Sequence, residues 1–164
     1  MTLEERYDRI LERMVAELRR LYGERLISCA VFGSVGRGAQ REDSDVDVLL
    51  VVRALPEGRF ARVEEFLPVE EHLEADLRPT SPDCAPVSLC PVFKTPEEVE
   101  AGSPLFLDMV EDARILHDRD DFFAGYLGRL HSRLKALGAR RIWLGNAWYW
   151  ELKPDLRPGE VFQL

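Results

Sequence analysis

The sequence predicts a mixed α/β domain: a small mixed β-sheet flanked by helices and extended at its C-terminal end by a helix and a β-hairpin. Three observations predict it. Leu3, Tyr7, Ile10, Met14, Leu18 and Leu21 recur at helical spacing. Two short apolar runs, Leu26 to Phe32 and Asp45 to Val52, read as strands. Helix-like and strand-like segments then alternate to the end of the chain. A length of 164 residues with 46% hydrophobic residues suits one domain able to bury a core.

Each element has its own local reason. Thr2 with Glu5 three residues later is a capping-box pattern opening the first helix, and Gly23 ends it. Leu26 to Phe32 is continuously apolar, as a strand buried on both faces requires. Gly33 to Ser44 is glycine-rich and polar, a loop with room for one helical turn, and Asp45 to Val52 resumes the β-branched pattern. Arg59 to Leu77 carries Phe60, Val63, Phe66, Leu67 and Leu73 among charges, predicting a helix interrupted at Pro68. Three prolines make Arg78 to Pro86 a loop. Val87 to Phe93 is a third strand, with Pro91 marking either an edge or a bulge. Thr95-Pro96-Glu97-Glu98 opens another helix, and Ser103-Pro104 repeats the signal before Leu105 to Asp112. Arg114 to His117 reads as a short strand, Asp120 to Leu137 as an amphipathic helix, and Ile142 to Leu152 as a hairpin turning at Gly145-Asn146. Residues 1–118 form the body and 119–164 an extension packed on the same domain.

Charge and composition exclude several functions. Against 22 basic residues stand 30 acidic ones, a net charge of −8, which argues against a general nucleic-acid binder. Charge is uneven, however. Between Gly125 and Arg157 lie seven basic residues and only Glu151 and Asp155 as acids. Cys29, Cys84 and Cys90 are an odd number without paired spacing, indicating neither a disulfide framework nor a zinc knuckle. His72, His117 and His131 are too scattered for a metal cluster. No apolar run approaches the roughly 20 residues of a membrane span, and no charged-then-apolar leader opens the sequence. The cytoplasm is the expected location.

Chemistry concentrates in Val31-Phe32-Gly33-Ser34 and, ten residues later, Asp45-Val46-Asp47-Val48. Gly33 follows an apolar strand directly, where a residue without Cβ lets the backbone turn tightly and approach a phosphate. Successive N–H groups in such a turn make a nest for anions, and Ser34 adds a hydroxyl. Arg37 and Arg41 supply positive charge for a phosphate, and Ser44 stands directly before the first acid. Asp45 and Asp47, two apart on a strand, leave it on the same face. Two carboxylates on one face suit Mg²⁺, which favours carboxylate together with substrate phosphate. A phosphate cradle beside a divalent-metal site is the minimum equipment for in-line nucleotidyl transfer.

In these residues the chain resembles the DNA polymerase beta-type nucleotidyltransferase superfamily, and its small size points to the minimal nucleotidyltransferases, the MNT group. The resemblance covers Leu26 to Val52 and, more loosely, Val87 to Phe93. It implies a nucleotidyltransferase-like fold over residues 1–118. It also implies that Gly33 and Ser34 contact a nucleoside triphosphate, beside which the loop residues Arg37 and Ser44 are expected to bind, and that Asp45 and Asp47 bind one or two Mg²⁺ ions and carry catalysis. The implied reaction moves AMP from ATP to a hydroxyl. Among small MNT proteins that hydroxyl is often a tyrosine on a partner HEPN-domain toxin, which the antitoxin silences. One departure stands out. Catalytic members usually carry a third carboxylate on the third strand, where this chain reads Val87-Ser88-Leu89-Cys90-Pro91-Val92, with Ser88 at that place. The nearest upstream acid is Asp83. Three accounts are open: Asp83 swings in, the partner or substrate supplies the group, or the protein binds nucleotide and docks without turning it over.

Other features have structural readings beside functional ones. Trp148 and Trp150 share one face of the hairpin, with Tyr149 opposite, so a hairpin covering the core is expected. With Trp143, Arg140, Arg141 and Lys153 they also suit base stacking, which keeps an RNA-modifying transferase as a rival function. Cys29 and Cys90 read as small core residues, and Glu64, Glu65, Glu70 and Glu71 as helix surface. A homo-oligomer stays open.

Overall fold

The computed structural model describes residues 1–82 and 85–164. Helix α1 (Leu3–Tyr22) starts as its sequence requires: the Thr2 hydroxyl accepts the Glu5 N–H, and the Glu5 carboxylate accepts the Thr2 N–H in return. Strand β1 (Leu26–Val31) is buried at every position. It leads into a single helical turn, α2 (Gly33–Gly36), and then β2 (Val46–Val52). Asp45 therefore stands one residue before the strand, not inside it as the sequence predicts, and only Asp47 is a strand residue.

Helix α3 (Arg59–Leu77) runs unbroken through Pro68, against the expected interruption. Proline removes the N–H that would bond to the Glu64 carbonyl. Both residues are exposed, so water can satisfy the freed oxygen while Phe66, Val69 and Leu73 keep the helix packed. Strand β3 (Leu89–Lys94) begins two residues later than expected. It is followed by α4 (Pro96–Glu100), whose capping box is built on Thr95 and Glu98, and by α5 (Leu105–Asp112). Strand β4 (Arg114–Asp118), helix α6 (Phe122–Leu137) and the hairpin β5 (Arg140–Leu144) and β6 (Ala147–Glu151) complete the chain. The Asp118 carboxylate accepts the Ser28 hydroxyl and the N–H groups of Phe123 and Ala124, joining β1, β4 and the start of α6.

The sheet order is β3-β2-β1-β4. β1 pairs antiparallel with both β2 and β4, while β2 and β3 are parallel, so the sheet is mixed. Pro91 lies on an edge strand, where its missing N–H breaks no ladder. Alternation along β2 divides two cores. Val46, Val48, Leu50 and Val52 pack with Phe66 and Leu73 of α3 and Met14 and Leu18 of α1. Leu49 and Val51 pack with Phe106 of α5 and Phe123 and Leu130 of α6. Asp47 shares the parity of Leu49 and Val51, and its carboxylate leaves the sheet on the α5–α6 side. Among the described residues no helix is long and apolar enough to cross a membrane.

Candidate active site

The site is built where β1 ends, α2 turns and β2 begins. Phe32 N–H donates to the Asp47 carbonyl at 3.0 Å, holding the turn against the start of β2. Gly33 then takes φ of +64°, a left-handed conformation. A Cβ at Gly33 would overlap the Asp47 carboxylate, so only glycine fits here. Beyond the close approach to phosphate that the sequence predicts, this glycine makes room for a carboxylate. Gly36 is constrained in the same way, for its Cβ would lie 2.5 Å from the Asp112 carbonyl and 2.9 Å from that of Val31. The turn is thus pressed between the end of β1 and the end of α5.

Ser34, Arg37, Ser44, Asp45 and Asp47 all line one cavity of about 500 Å³, with Ala39, Arg41 and Asp43 completing its wall. Gly33 lies directly behind the Asp47 carboxylate. The structure therefore brings Ser34, Arg37, Ser44, Asp45 and Asp47 to one cavity, with Gly33 in contact range of Asp47. Ser44 is placed differently from its neighbours: its hydroxyl oxygen accepts the Arg41 N–H at 2.8 Å and closes the loop locally.

The two carboxylates differ. Asp45 is exposed and Asp47 half-buried. Neither has a hydrogen-bond or salt-bridge partner among the described residues. Burial, and then the neighbouring Asp45 charge, push the Asp47 carboxyl above its ordinary range, with the Arg37 guanidinium pulling the other way. The pair thus holds negative charge that the protein does not neutralise. Hard oxygen donors in that state suit a divalent cation of the magnesium kind. No three His, Cys, Asp or Glu side chains converge as a metal cage among the described residues.

The expected third-strand carboxylate is not on β3. In the parallel register Cys90 stands opposite Asp47, and the Ser88 carbonyl, just before the strand, accepts the Val46 N–H at 2.8 Å. Cys90 is therefore no core residue, in contrast to fully buried Cys29, because edge-strand parity turns it to the acidic face. Burial, Asp45, Asp47 and Glu70 all raise its thiol pKa. Glu70, read as helix surface, is partly buried, and burial raises its carboxyl pKa. Asp83 and Cys84 lie outside the described residues.

Sequence reasoning missed the residues that hold the loop. The Tyr7 hydroxyl lies 2.9 and 2.6 Å from the Arg41 and Ser44 carbonyls, and buried Arg6 donates to the carbonyls of Glu42 and Arg78. Tyr7 was legible only as part of the apolar stripe of α1. No signal in the sequence marks Arg6, whose partners lie 36 and 72 residues away.

This arrangement of strand, glycine turn and acidic strand is that of a nucleotidyltransferase. Residues 11–117 match the model of the nucleotidyltransferase domain, and the chain belongs to that family. It is 29% identical over 136 residues to MJ1305 of Methanocaldococcus jannaschii, which bears the name of a protein adenylyltransferase; the match covers 82% of this chain and 87% of that one. Over 75 residues it is 43% identical to the protein adenylyltransferase MntA of Thermococcus cleftensis, covering 46% of this chain and 68% of that one. Its fold is similar to a chain in the crystal structure of a toxin-antitoxin with AMP-PNP, with a TM-score of 0.50, 17% identity, and coverage of 77% of this chain and 88% of that one. A chain of a toxin-antitoxin MntA-HpeT variant has a TM-score of 0.51, 18% identity, and coverage of 77% and 87%.

Proposed function

We propose that this protein transfers AMP from ATP to a hydroxyl on a partner protein, a HEPN-type toxin, and so serves as its antitoxin. The observation that carries the reading is the fit of Gly33 against the unpartnered Asp47 carboxylate beside Asp45. The names of the relatives support adenylyl transfer to protein, and the toxin-antitoxin complexes of the same fold support the partner. A cytoplasmic location, where ATP is held, goes with it.

In the reaction the acceptor oxygen attacks the α-phosphorus, the bond to the β-phosphate oxygen breaks, and pyrophosphate leaves. Gly33 and Ser34, at the open start of a helical turn, offer N–H groups without intrahelical acceptors, and Ser34 adds its hydroxyl. Arg37 contributes positive charge from the cavity wall. Asp45 and Asp47 would hold Mg²⁺, which when bound supplies Lewis-acid stabilisation of the transferring phosphate. The hydroxyl proton requires a base. The missing acid on β3 leaves that role to Asp83 or to a group of the partner or substrate.

Incubation of the purified protein with labelled ATP, Mg²⁺ and a co-expressed helical neighbour tests the reading. Label on the partner, lost in Asp45→Asn with Asp47→Asn, is the expected outcome; unchanged transfer in that variant overturns the site. A second reading, a nucleotide-binding antitoxin that acts by docking alone, is favoured by Ser88 and Cys90 standing where an acid is expected. Tight ATP binding with no transfer to the partner would select it. Steeply salt-dependent RNA binding would instead select an RNA-modifying transferase.

A further inference from the structure

The basic, aromatic hairpin lies outside the residues that match the family model, yet it packs on Arg37, a wall residue of the cavity. Six side chains make the connection. Asp108 and Asp112 stand one turn apart on α5, on the same face. The Asp108 carboxylate accepts the indole N–H of Trp148 at 2.7 Å and that of Trp150 at 2.8 Å, fixing both rings of β6. Asp112 takes two hydrogen bonds from Arg141 of β5, at 2.9 and 3.2 Å, and one from Arg37 at 3.3 Å. The guanidinium of Arg37 also lies 5.1 Å from the centre of the Trp148 ring, as does that of Arg141.

The arrangement is costly unless it does something. Asp112 is the last residue of its helix, where the dipole disfavours an acid. Its side chain is only 5% exposed, so it needs cationic partners. Arg141 alone meets that need through its two bonds. The additional bond to Arg37 leaves two guanidiniums on one carboxylate, so one positive charge remains at the cavity wall. Of the two, Arg37 is the one that lines the cavity, and its charge is felt at Asp47.

We infer that the hairpin is part of the nucleotide site: Trp148 and Asp112 are positioning residues that hold Arg37 toward the triphosphate. The inference rests on the nucleotidyltransferase reading above, because it takes Arg37 to meet phosphate. An arginine held by an aromatic face and a carboxylate loses less rotamer freedom when it closes on phosphate, so the benefit appears as affinity.

The test is a double-mutant cycle on AMP-PNP binding, read by calorimetry, alongside ATP kinetics of the full chain with its partner. Trp148→Leu fills much of the volume without a π face, whereas Trp148→Phe keeps a face. Trp148→Leu is expected to weaken AMP-PNP binding and raise the KM for ATP about tenfold, with kcat within about twofold. Trp148→Phe should recover most of the loss. In the Arg37→Gln background Trp148→Leu should add nothing. Additive losses, equal behaviour of Leu and Phe, or a fall in kcat at constant KM would overturn the inference. If thermal melts show that Trp148→Leu does not fold, Asp112→Asn takes its place. Its effect on AMP-PNP affinity must vanish once Arg37 is Gln, and an unchanged effect there overturns the inference. The two readings fail separately. Binding of AMP-PNP with a flat variant series sinks the positioning role alone, and binding without transfer to the partner sinks adenylylation alone.

Discussion

Two aspartate pairs lie on the same side of the sheet and have opposite fates. Asp108 and Asp112 on α5 are met by two indole N–H groups and two guanidiniums, so their charge is used up in holding the hairpin and Arg37. Asp45 and Asp47 at the start of β2 meet no donor among the described residues, although Asp47 is half-buried and its carboxyl is pushed above the ordinary range. The more buried pair is thus the structural one. Burial of an acid does not by itself mark a functional site; burial without a partner does, because that cost is recovered only when something binds.

The comparison predicts that the two pairs fail in opposite ways. Asp45→Asn with Asp47→Asn should lower adenylyl transfer by about a thousandfold or more, since it removes the proposed metal ligands. Its melting temperature should hold or rise, because two like charges no longer repel. Label transfer and a thermal melt measure both, and a large loss of stability would show that these acids are structural after all. Gly33→Ala ranks next. The added Cβ meets the Asp47 carboxylate in a left-handed backbone conformation, so transfer should fall about a hundredfold with a stability loss of about 1–2 kcal/mol. An alanine variant with full activity would remove the observation on which the site rests. Asp112→Asn should cost about 1–2 kcal/mol, or roughly 3–6 °C in Tm, by leaving two guanidiniums without their carboxylate. A neutral melt would mean that the hairpin is anchored through Asp108 alone.

What was legible in the sequence follows the same division. Gly33, Ser34, Asp45 and Asp47 could be found because the turn and the strand that carry them are local, and because glycine after an apolar strand has a specific steric meaning. Thr2, Thr95 and their partner glutamates were legible for the same reason. Pro68 misled because helix interruption is a local rule, while the exposure that relieves it is a tertiary fact. Cys90 misled because its face is set by register with β2 across 43 positions. The clamp on Arg37 was hidden more deeply: its carboxylate lies 75 residues away, and only the clustering of Arg and Trp near the C-terminus hinted that the segment had work to do. Most of that segment's charge is spent internally, on Asp112, Glu100, Glu151, Asp155 and Glu160.

His117 is the intermediate case that sharpens the comparison, for it has a partner that suits only one of its charge states. Arg19 approaches its Nδ1 at 3.2 Å and, as a permanent donor, requires that nitrogen to be an acceptor. Burial first, then the Arg19 charge, lowers the imidazole pKa below its ordinary value. The sign for stability follows. The folded chain resists a proton that the unfolded chain accepts, so stability is unaffected above the ordinary histidine range near pH 6.5 and declines as pH falls from there toward the lowered folded-state pKa. Because the ring is only partly buried, this should be the smallest of the effects. Arg19→Met should move the His117 titration, followed by NMR, part of the way back up, since burial remains as the larger cause. A titration that does not move would show that partner charge is irrelevant at this ring, and that burial alone sets the protonation of the partly satisfied groups in this fold.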